Sequence, residues 1–215
     1  MADKDKVKHI LEELDKAYPK AGTALHFSNP YQLLVATILS AQCTDKRVND
    51  LTPSLFEKYP DAAAMARADI GELENDVRPT GFFRNKAKSL KGCTQGLVER
   101  HGGEVPAGLD AMVKLPGVGR KTANLVLGEA FGIPGLVVDT HFSRVSQRLG
   151  LTRETDAVKI EFDLMEKIPK ERWTLFSNQL ILHGRAICTA RKPKCPECPL
   201  SPWCDYFQDA SSKKK

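Results

Sequence analysis

The cysteines of this chain are unevenly distributed, and four of the six fall close together near its C-terminus. Thiolates bind zinc and iron–sulfur clusters, and in a reducing compartment such a group favours a metal centre over disulfides. The spacing C-x6-C-x2-C-x5-C, in a loop interrupted by prolines, allows four thiolates to surround one centre without regular structure. Zinc and a cubane cluster both accept four thiolates, so spacing alone does not separate them. The four residues are Cys188, Cys195, Cys198 and Cys204.

A second chemical signal is the glycine-rich stretch LPGVGRKT at residues 115–122, between two predicted helices. Its glycines allow a tight turn and a close approach of another molecule to the backbone. Because a helix begins directly afterwards, its free N–H groups and the positive end of its dipole favour phosphate. A plain helix–helix turn is the alternative, and the adjacent Arg120 and Lys121 make it less attractive. The candidate phosphate-binding backbone is Gly117, Val118, Gly119 and Arg120.

The elements that position these residues are predicted to be helices. Apolar residues recur with helical spacing along most of the chain, and the strand-like run at 136–138 is too short to build a sheet. Asn29-Pro30 is typical of a helix start before a nearly all-apolar helix, and Thr44 is a candidate cap for a helix interrupted near Pro53. Later helices are predicted over 83–101, 109–114, 120–131, 140–149, 156–167 and 171–187. The fold class is therefore predicted as all-α.

Composition excludes several classes of protein. With 215 residues, 41% hydrophobic and 27% charged, the chain is typical of a globular protein. No apolar stretch is long enough to span a bilayer, and the charged N-terminus lacks a secretory signal, so we expect a reducing cytoplasm. The net charge is +5, but three of the positive charges are the terminal lysines 213–215. The charge balance therefore permits a nucleic-acid partner without requiring one.

The motifs taken together resemble the endonuclease III family of DNA glycosylases over nearly the whole chain. They are LPGVGRKTAN, VVDTH at 137–141, the cysteine spacing, SAQCTDKRVN at 40–49, GFFRNKA at 81–87 and ILHGR at 181–185. The resemblance implies two helical lobes with DNA in the cleft between them. Residues 22–134 would form a six-helix lobe containing a helix-hairpin-helix, and residues 1–21 plus 135–215 a discontinuous lobe with a [4Fe-4S] cluster on the four cysteines. Because all four ligand positions are filled, we expect the cluster to be structural or a slow redox sensor.

The same resemblance implies that Lys121 is a nucleophile and Asp139 its catalytic partner. An ordinary lysine, with a pKa of ~10.4, is a free amine in only about 1 molecule in 2500 at pH 7, so the site must disfavour the ammonium. The helix dipole, the Arg120 cation and desolvation under bound DNA all act in that direction. Asp139 would stabilise positive charge on the sugar or accept the lysine's proton, and capping of the helix from Thr140 is its alternative or additional role. A lysine here predicts two activities, base excision and strand cleavage by β-elimination.

An enzyme of this kind must turn a base out of the duplex, which leaves a hole to be filled. By resemblance, Gln42 faces the orphaned partner base and Phe82 is the apolar wedge. Close relatives are expected to have an aliphatic residue at Phe82, and core packing is the alternative for this ring. His141 is a candidate DNA contact, although a histidine on a helix face is more often structural. The expected substrates are duplex DNA with an oxidised pyrimidine or an abasic site, bound by a monomer.

Charged residues between the first two cysteines of the cluster form a candidate basic loop. Arg191, Lys192 and Lys194 are predicted to contact phosphate, and a solvated surface is the alternative. Cys43 and Cys93, which stand apart, are expected to be buried free thiols. Two other functions stay open at this point. One is a glycosylase for mispaired thymine or adenine, and the other is a non-catalytic protein that clamps DNA structures through the hairpin.

Overall fold

The chain folds as a succession of α-helices joined by short turns. The computed structural model describes residues 4–212, with side chains as far as residue 209, so the charged N-terminus at 1–3 and the lysine tail at 213–215 lie outside it. Within residues 4–212 there is no β-strand, which confirms the predicted all-α class. The helices are α1 (Lys4–Ala17), α2 (Pro30–Leu39), α3 (Asp45–Lys58), α4 (Ala62–Arg67), α5 (Ile70–Val77), α6 (Phe83–His101), α7 (Leu109–Met112), α8 (Arg120–Phe131), α9 (Thr140–Arg148), α10 (Ala157–Met165), α11 (Trp173–Ala186) and α12 (Asp205–Ser212). No helix in the described part of the chain has the length and apolar character to cross a bilayer.

Local capping signals determine several helix ends as predicted. The Asn29 side chain accepts a hydrogen bond from the Gln32 amide at 2.9 Å, and Pro30 takes the first helical position of α2. The Thr44 hydroxyl caps α3 in the same way, and α6 ends at Gly102 in the left-handed conformation that glycine adopts without strain. These contacts satisfy backbone groups that a helix terminus leaves unpaired.

The predicted interruption at Pro53 is wrong, because α3 runs unbroken from Asp45 to Lys58. Proline removes one helical hydrogen bond, but Pro53 is exposed, so water can solvate the carbonyl group that loses its partner. The buried residues Val48, Thr52 and Leu55 lie on both sides of the proline and keep the helix packed. Tertiary packing therefore outweighs the local preference of proline. The short helices α4 and α12 were not predicted.

The structure divides into two compact units. The first, which we call the hairpin unit, comprises Ala24–Ile133 and contains α2 to α8. Helix α2 lies in its core, where every residue from Tyr31 to Leu39 except Gln32 is buried. Helix α6, the longest at 19 residues, buries Ala87, Leu90 and Leu97 in the same core.

The second unit, which we call the cysteine unit, combines the described residues up to Thr23 with those from Pro134 onward. Its core is built on α9 and α11, where the rings of Phe142 and Phe176 meet edge to face with centroids 5.7 Å apart. The N-terminal helix α1 is joined to this core by an ion pair between Asp15 and Arg172 and by a hydrogen bond from Gln179 to Asp15.

The isolated cysteines differ from each other in burial. Cys93 on α6 is 1% exposed, which confirms the predicted buried thiol, and burial raises its pKa to about 12. Cys43 is a free thiol but only half-buried, so that expectation is wrong on burial. The reason is its position in the turn after α2, at the edge of the core that encloses Cys93.

The burial of Cys93 predicts its chemical reactivity. Thiolate is the reactive form, and raising the pKa from 9.0 to about 12 lowers the thiolate fraction at pH 8 by roughly three powers of ten. We expect iodoacetamide to leave Cys93 unmodified in the native protein and to alkylate it in urea, as measured by peptide mass spectrometry. Rapid native alkylation of Cys93 at pH 8 would contradict its placement in the core.

Candidate functional site

The glycine-rich turn joins α7 to α8 as a helix-hairpin-helix. Gly117 has a φ of +77°, and a Cβ at this position would lie 2.6 Å from the Cβ of Ser89 on α6. Only glycine satisfies both the left-handed backbone and this close approach. Val118 is buried beneath the turn and donates its N–H to the Leu115 carbonyl at 3.1 Å. The turn is therefore rigid, with Gly117 and Gly119 on its exposed side.

Gly119 serves a different purpose from Gly117. Its backbone is extended, with φ −88° and ψ 172°, so glycine is not required there for conformational reasons, contrary to the expectation for both glycines. It is the N-cap of α8 and provides no capping side chain. The start of this helix consequently presents backbone N–H groups and the positive end of the helix dipole, which are the features that bind an anion.

Lys121 lies in the first turn of α8, directly after the hairpin. The side chain is exposed, and it makes no hydrogen bond or ion pair with any residue between 4 and 209. The position therefore suits a lysine that has to react with a bound molecule rather than stabilise the fold.

Asp139 directly precedes α9, and hydrogen bonds fix the chain on both sides of it. Its Oδ1 accepts a hydrogen bond from the Phe142 amide at 2.7 Å, so Asp139 is the N-cap of the helix, one of the two roles considered from the sequence. The preceding segment is buried, and the Ser177 hydroxyl accepts a hydrogen bond from the Val137 amide at 2.9 Å. The carboxylate is half-buried and has a well-defined position, with Oδ2 not used by the cap.

Gln42 and Phe82 have an unusual backbone in common. They are the non-glycine residues with positive φ among residues 4–212, at 51° and 47° respectively. Such conformations cost of the order of 1–3 kcal/mol each and persist at functional sites where the surroundings impose them. Gln42 is exposed in the turn after α2, and Phe82 is 63% exposed before α6. Core packing, the alternative for Phe82, is therefore wrong; the neighbouring Phe83 is the ring that packs against the core.

The four clustered cysteines line one cavity of the cysteine unit. None of the four forms a disulfide, and the Arg148 guanidinium and the His183 ring are among the other lining residues. Arg148 Nη1 lies 3.4 Å from Cys188 Sγ, and His183 Nε2 lies 3.4 Å from Cys198 Sγ. Burial lowers the pKa of His183 to about 4, so the ring is neutral, and its Nδ1 contacts the Tyr18 hydroxyl at 3.1 Å.

This environment fits an iron–sulfur cluster. Burial raises the pKa of both the Cys198 and the Cys204 thiols, and an iron ion replaces the proton when the thiolate binds it. The Arg148 guanidinium, which donates to Cys188 Sγ, would stabilise negative charge on that sulfur, as outer contacts do at metal centres, and the His183 ring lies beside Cys198 Sγ. No three metal-binding side chains within the described range converge on a single ion. Four sulfurs around a shared cavity suit a cluster, in which each thiolate binds a different iron.

Helix α9 connects Asp139 to the cysteine loop. Arg144, one turn into the helix, donates to the Cys188 carbonyl at 3.1 Å and to the Gly184 carbonyl at 2.9 Å. Arg148, one turn further, donates to the Thr189 and Ala190 carbonyls at 2.8 Å each. These arginines replace the regular hydrogen bonds that the loop lacks. The sequence analysis missed them, because nothing near α9 in the chain indicates which distant carbonyls they reach.

The remaining predicted residues lie in the same unit. His141 is half-buried on α9, with Nδ1 3.2 Å from Arg144 Nη2, and its Cβ packs close to Gly184. These contacts give His141 a structural role in the packing of α9 on α11. The basic loop side chains Arg191, Lys192 and Lys194 are exposed.

Comparison with known proteins agrees with this architecture. The family model described as "HhH-GPD superfamily base excision DNA repair protein" matches residues 35–170, and "Iron-sulfur binding domain of endonuclease III" matches residues 188–204. The endonuclease III of Synechocystis sp. is 55% identical over 206 residues, which cover 95% of this chain and 94% of that protein. A non-covalent endonuclease III–DNA complex superimposes with a TM-score of 0.92 at 43% identity, covering 99% of this chain and all of that one. A trapped endonuclease III–DNA covalent intermediate gives the same TM-score and identity over 98% of this chain and 100% of that one.

These matches define a helical base-excision-repair protein of the HhH-GPD superfamily. Within it, the chain belongs to the endonuclease III family: it is a DNA glycosylase and abasic-site lyase that binds DNA and has a [4Fe-4S] cluster as its cofactor. The alternative of a non-catalytic DNA clamp is therefore excluded, and so is zinc at the cysteines.

The strained backbone at Phe82 predicts opposite effects of one substitution on stability and on activity. Phe82→Gly removes the left-handed penalty and should raise the free energy of unfolding by about 1 kcal/mol while lowering base excision. Urea denaturation and single-turnover excision assays measure the two effects. Lys88→Gly is the control: this exposed residue lies within α6, where glycine should lower stability by about 1 kcal/mol. A Phe82→Gly protein less stable than the parent would contradict the inference that the backbone at Phe82 is strained.

Proposed function

We propose that this protein excises oxidised pyrimidines from duplex DNA and cleaves the resulting abasic strand through a Schiff base on Lys121. The observation that carries the proposal is the position of Lys121, exposed in the first turn of α8 and next to a glycine-capped helix start. The phosphate-binding features at Gly119 and the nucleophile at Lys121 are then two residues apart. A phosphate on the backbone N–H groups would bring the adjacent sugar towards the amine.

The lysine acts in its neutral form. Its Nζ lone pair forms a bond to C1′ as the glycosidic bond breaks, and the base leaves with the electron pair of the glycosidic bond and takes up a proton. Loss of the remaining amine proton and opening of the sugar give an imine between Lys121 and C1′. The imine acidifies the C2′ proton; its removal expels the 3′ phosphate and cuts the strand by β-elimination. Hydrolysis of the imine by water then restores the lysine.

Asp139 carries the complementary role. Departure of the base leaves positive character on the sugar, and a carboxylate stabilises that charge or accepts the proton of the lysine. The N-cap hydrogen bond occupies Oδ1 and holds the carboxylate in one orientation, so the capping and catalytic roles support each other. Preorganisation of this kind avoids a reorganisation cost during the reaction.

Gln42 and Phe82 open the duplex. Phe82 enters the base stack as the wedge, and the amide of Gln42 forms hydrogen bonds to the orphaned base. Their exposure and left-handed backbone support this role, since neither side chain contributes to the core. An oxidised pyrimidine that stacks poorly costs less to extrude than an intact base, which favours damaged substrates.

Phosphate contacts come from both units. In the hairpin unit they are made by the backbone of Gly117, Val118 and Gly119 together with Arg120, and in the cysteine unit by the basic loop. Arg191, Lys192 and Lys194 are exposed on a loop whose carbonyls Arg148 holds, so their cations are available at low ordering cost. His141, on α9, is proposed to contact the DNA phosphate backbone as well.

The four clustered cysteines are the proposed cluster ligands. When bound, the cluster cross-links a proline-interrupted loop that has no helix or strand of its own beyond single 3-10 turns. Residues 22–134 are proposed as the hairpin lobe, and residues 1–21 with 135–215 as the cluster lobe. The ligands are Cys188, Cys195, Cys198 and Cys204.

The protein is proposed to act as a monomer in the cytoplasm, on nucleoid DNA if its source is bacterial. Thiolates and a cluster of this kind persist in a reducing compartment.

Borohydride trapping on a duplex with thymine glycol tests the proposed chemistry. Borohydride reduces the imine to a stable amine, so the parent protein should form a covalent protein–DNA adduct visible as a shifted gel band. Lys121→Ala should lose the adduct and most base release, by about 10² to 10⁴-fold in rate. Lys114→Ala, an exposed lysine before the hairpin, is the matched control and should retain trapping.

Each alternative result has a distinct meaning. Base release without any trapped adduct would contradict the lyase mechanism and favour a glycosylase that uses water. Activity on thymine or adenine mispairs, with none on thymine glycol, would overturn the proposed substrate. An adduct that persists in Lys121→Ala would assign the nucleophile to another amine.

Asp139→Asn separates the two roles of Asp139. Asparagine is as good an N-cap as aspartate, so we expect the thermal midpoint to change little, whereas the excision rate should fall by about 10² to 10⁴-fold because the negative charge is lost. Asp139→Ala should lower both stability, by about 1 kcal/mol, and activity. An Asp139→Asn protein with full activity would leave Asp139 with the capping role alone. Calorimetry and single-turnover kinetics supply the measurements.

A further inference from the structure

The hairpin unit contains a buried lysine that the proposed chemistry does not use. Lys86 on α6 is 4% exposed, and its Nζ donates a hydrogen bond to the Thr80 carbonyl at 2.8 Å. Its backbone amide donates to the Phe82 carbonyl at 3.1 Å, in the first turn of the helix. Lys86 therefore contacts the carbonyl directly before Gly81 and the carbonyl of Phe82 itself.

A buried ammonium is costly, so packing alone would favour an apolar side chain here. Burial lowers the pKa of Lys86, as expected for a cation removed from water. The Thr80 carbonyl is itself in a buried residue, 2% exposed, and at the end of a 3-10 turn it needs a donor. Lys86 supplies that donor from the following helix.

The position of this hydrogen bond matters because Thr80 directly precedes the left-handed residues. The carbonyl belongs to the peptide group that joins Thr80 to Gly81, so a donor at its oxygen restricts rotation of that group. Gly81 follows with a φ of +70° and Phe82 with +47°. Without a restraint on the Thr80 peptide, the strained segment could relax to an ordinary conformation and move the Phe82 ring.

We propose that Lys86 is a positioning residue for duplex opening: its hydrogen bond to the Thr80 carbonyl keeps the Gly81–Phe82 segment left-handed and the Phe82 ring projecting towards DNA. This inference rests on the proposed role of Phe82 as the wedge. Lys86 does not touch the substrate and acts through Phe82. Its loss should therefore matter only while the Phe82 ring is present.

A matched control lies on the same helix. Lys91 is half-buried, and its Nζ also donates to a backbone carbonyl, that of Ala68 at the end of α4. This contact resembles the one made by Lys86 in chemistry but is directed at a segment with ordinary backbone. Lys91→Met therefore reports the general effect of removing a lysine–carbonyl hydrogen bond from α6.

The experiment is a double-mutant cycle between Lys86→Met and Phe82→Ala, measured as the single-turnover excision rate on a thymine glycol duplex. We expect Lys86→Met to lose about tenfold in the parent background and no more than about twofold in the Phe82→Ala background. Lys91→Met should stay within about twofold of the parent. Fluorescence of 2-aminopurine opposite the lesion, at saturating protein, should fall in Lys86→Met, because it reports unstacking of the orphaned base. Thermal unfolding of every variant checks that it is folded.

Several results would overturn the inference. Equal losses from Lys86→Met with and without the Phe82 ring would mean that Lys86 acts independently of the wedge. A comparable loss in Lys91→Met would mean that any such hydrogen bond in α6 has the same effect. An unchanged rate in Phe82→Ala would remove the wedge role and this inference together, whereas a slow Phe82→Ala with a normal Lys86→Met would remove this inference alone. Should Lys86→Met not fold, Lys86→Gln takes its place: its side chain is one atom shorter and should no longer hold the Thr80 carbonyl in the same position, so the same tenfold and twofold limits apply.

Discussion

Helix termini leave backbone groups without partners inside the helix, and whatever satisfies those groups also determines where the terminal side chains point. The candidate catalytic and duplex-opening residues of this enzyme all lie at or next to helix ends. Asp139 caps α9 with its own carboxylate, while Lys121 follows a glycine cap on α8 that leaves the helix start open to an anion. Gln42 follows α2, and Phe82 precedes α6. The helices provide rigidity, and their ends provide the unusual local geometry.

The two left-handed residues illustrate how such geometry is maintained. A glutamine or a phenylalanine at positive φ is unfavourable by itself, so the surrounding structure has to impose it. At Phe82 the restraint comes from a rigid helix on one side and a buried hydrogen bond to the Thr80 carbonyl on the other. The result is an exposed aromatic ring on a rigid support.

The cysteine unit differs from the hairpin unit, because the loop that holds its four cysteines has little regular structure. Arginine side chains from α9 supply the missing backbone hydrogen bonds: Arg144 binds the Cys188 carbonyl and Arg148 the two that follow it. Since Asp139 is the N-cap of α9, one short helix connects this carboxylate with the cysteine loop and its basic side chains.

The amino-acid sequence by itself determined the features that depend on neighbours in the chain. Local chemistry explains the cap at Asn29, the limits of α8 and the left-handed turn at Gly117. The motifs formed by such residues were enough to indicate the family. The N-cap hydrogen bond of Asp139 at the start of α9 is another feature of this kind, although the sequence around Asp139 was also compatible with a catalytic role alone.

Only the tertiary structure decided the features that depend on distant groups. Packing carries α3 through Pro53, and the turn after α2 leaves Cys43 half-exposed. The contacts of Lys86 and Arg148 connect residues whose pairing no local pattern specifies, since a long cationic side chain reaches whichever carbonyl the fold brings near it. Local propensities are short-ranged, whereas burial, strain and the partners of buried charges are properties of the whole folded chain.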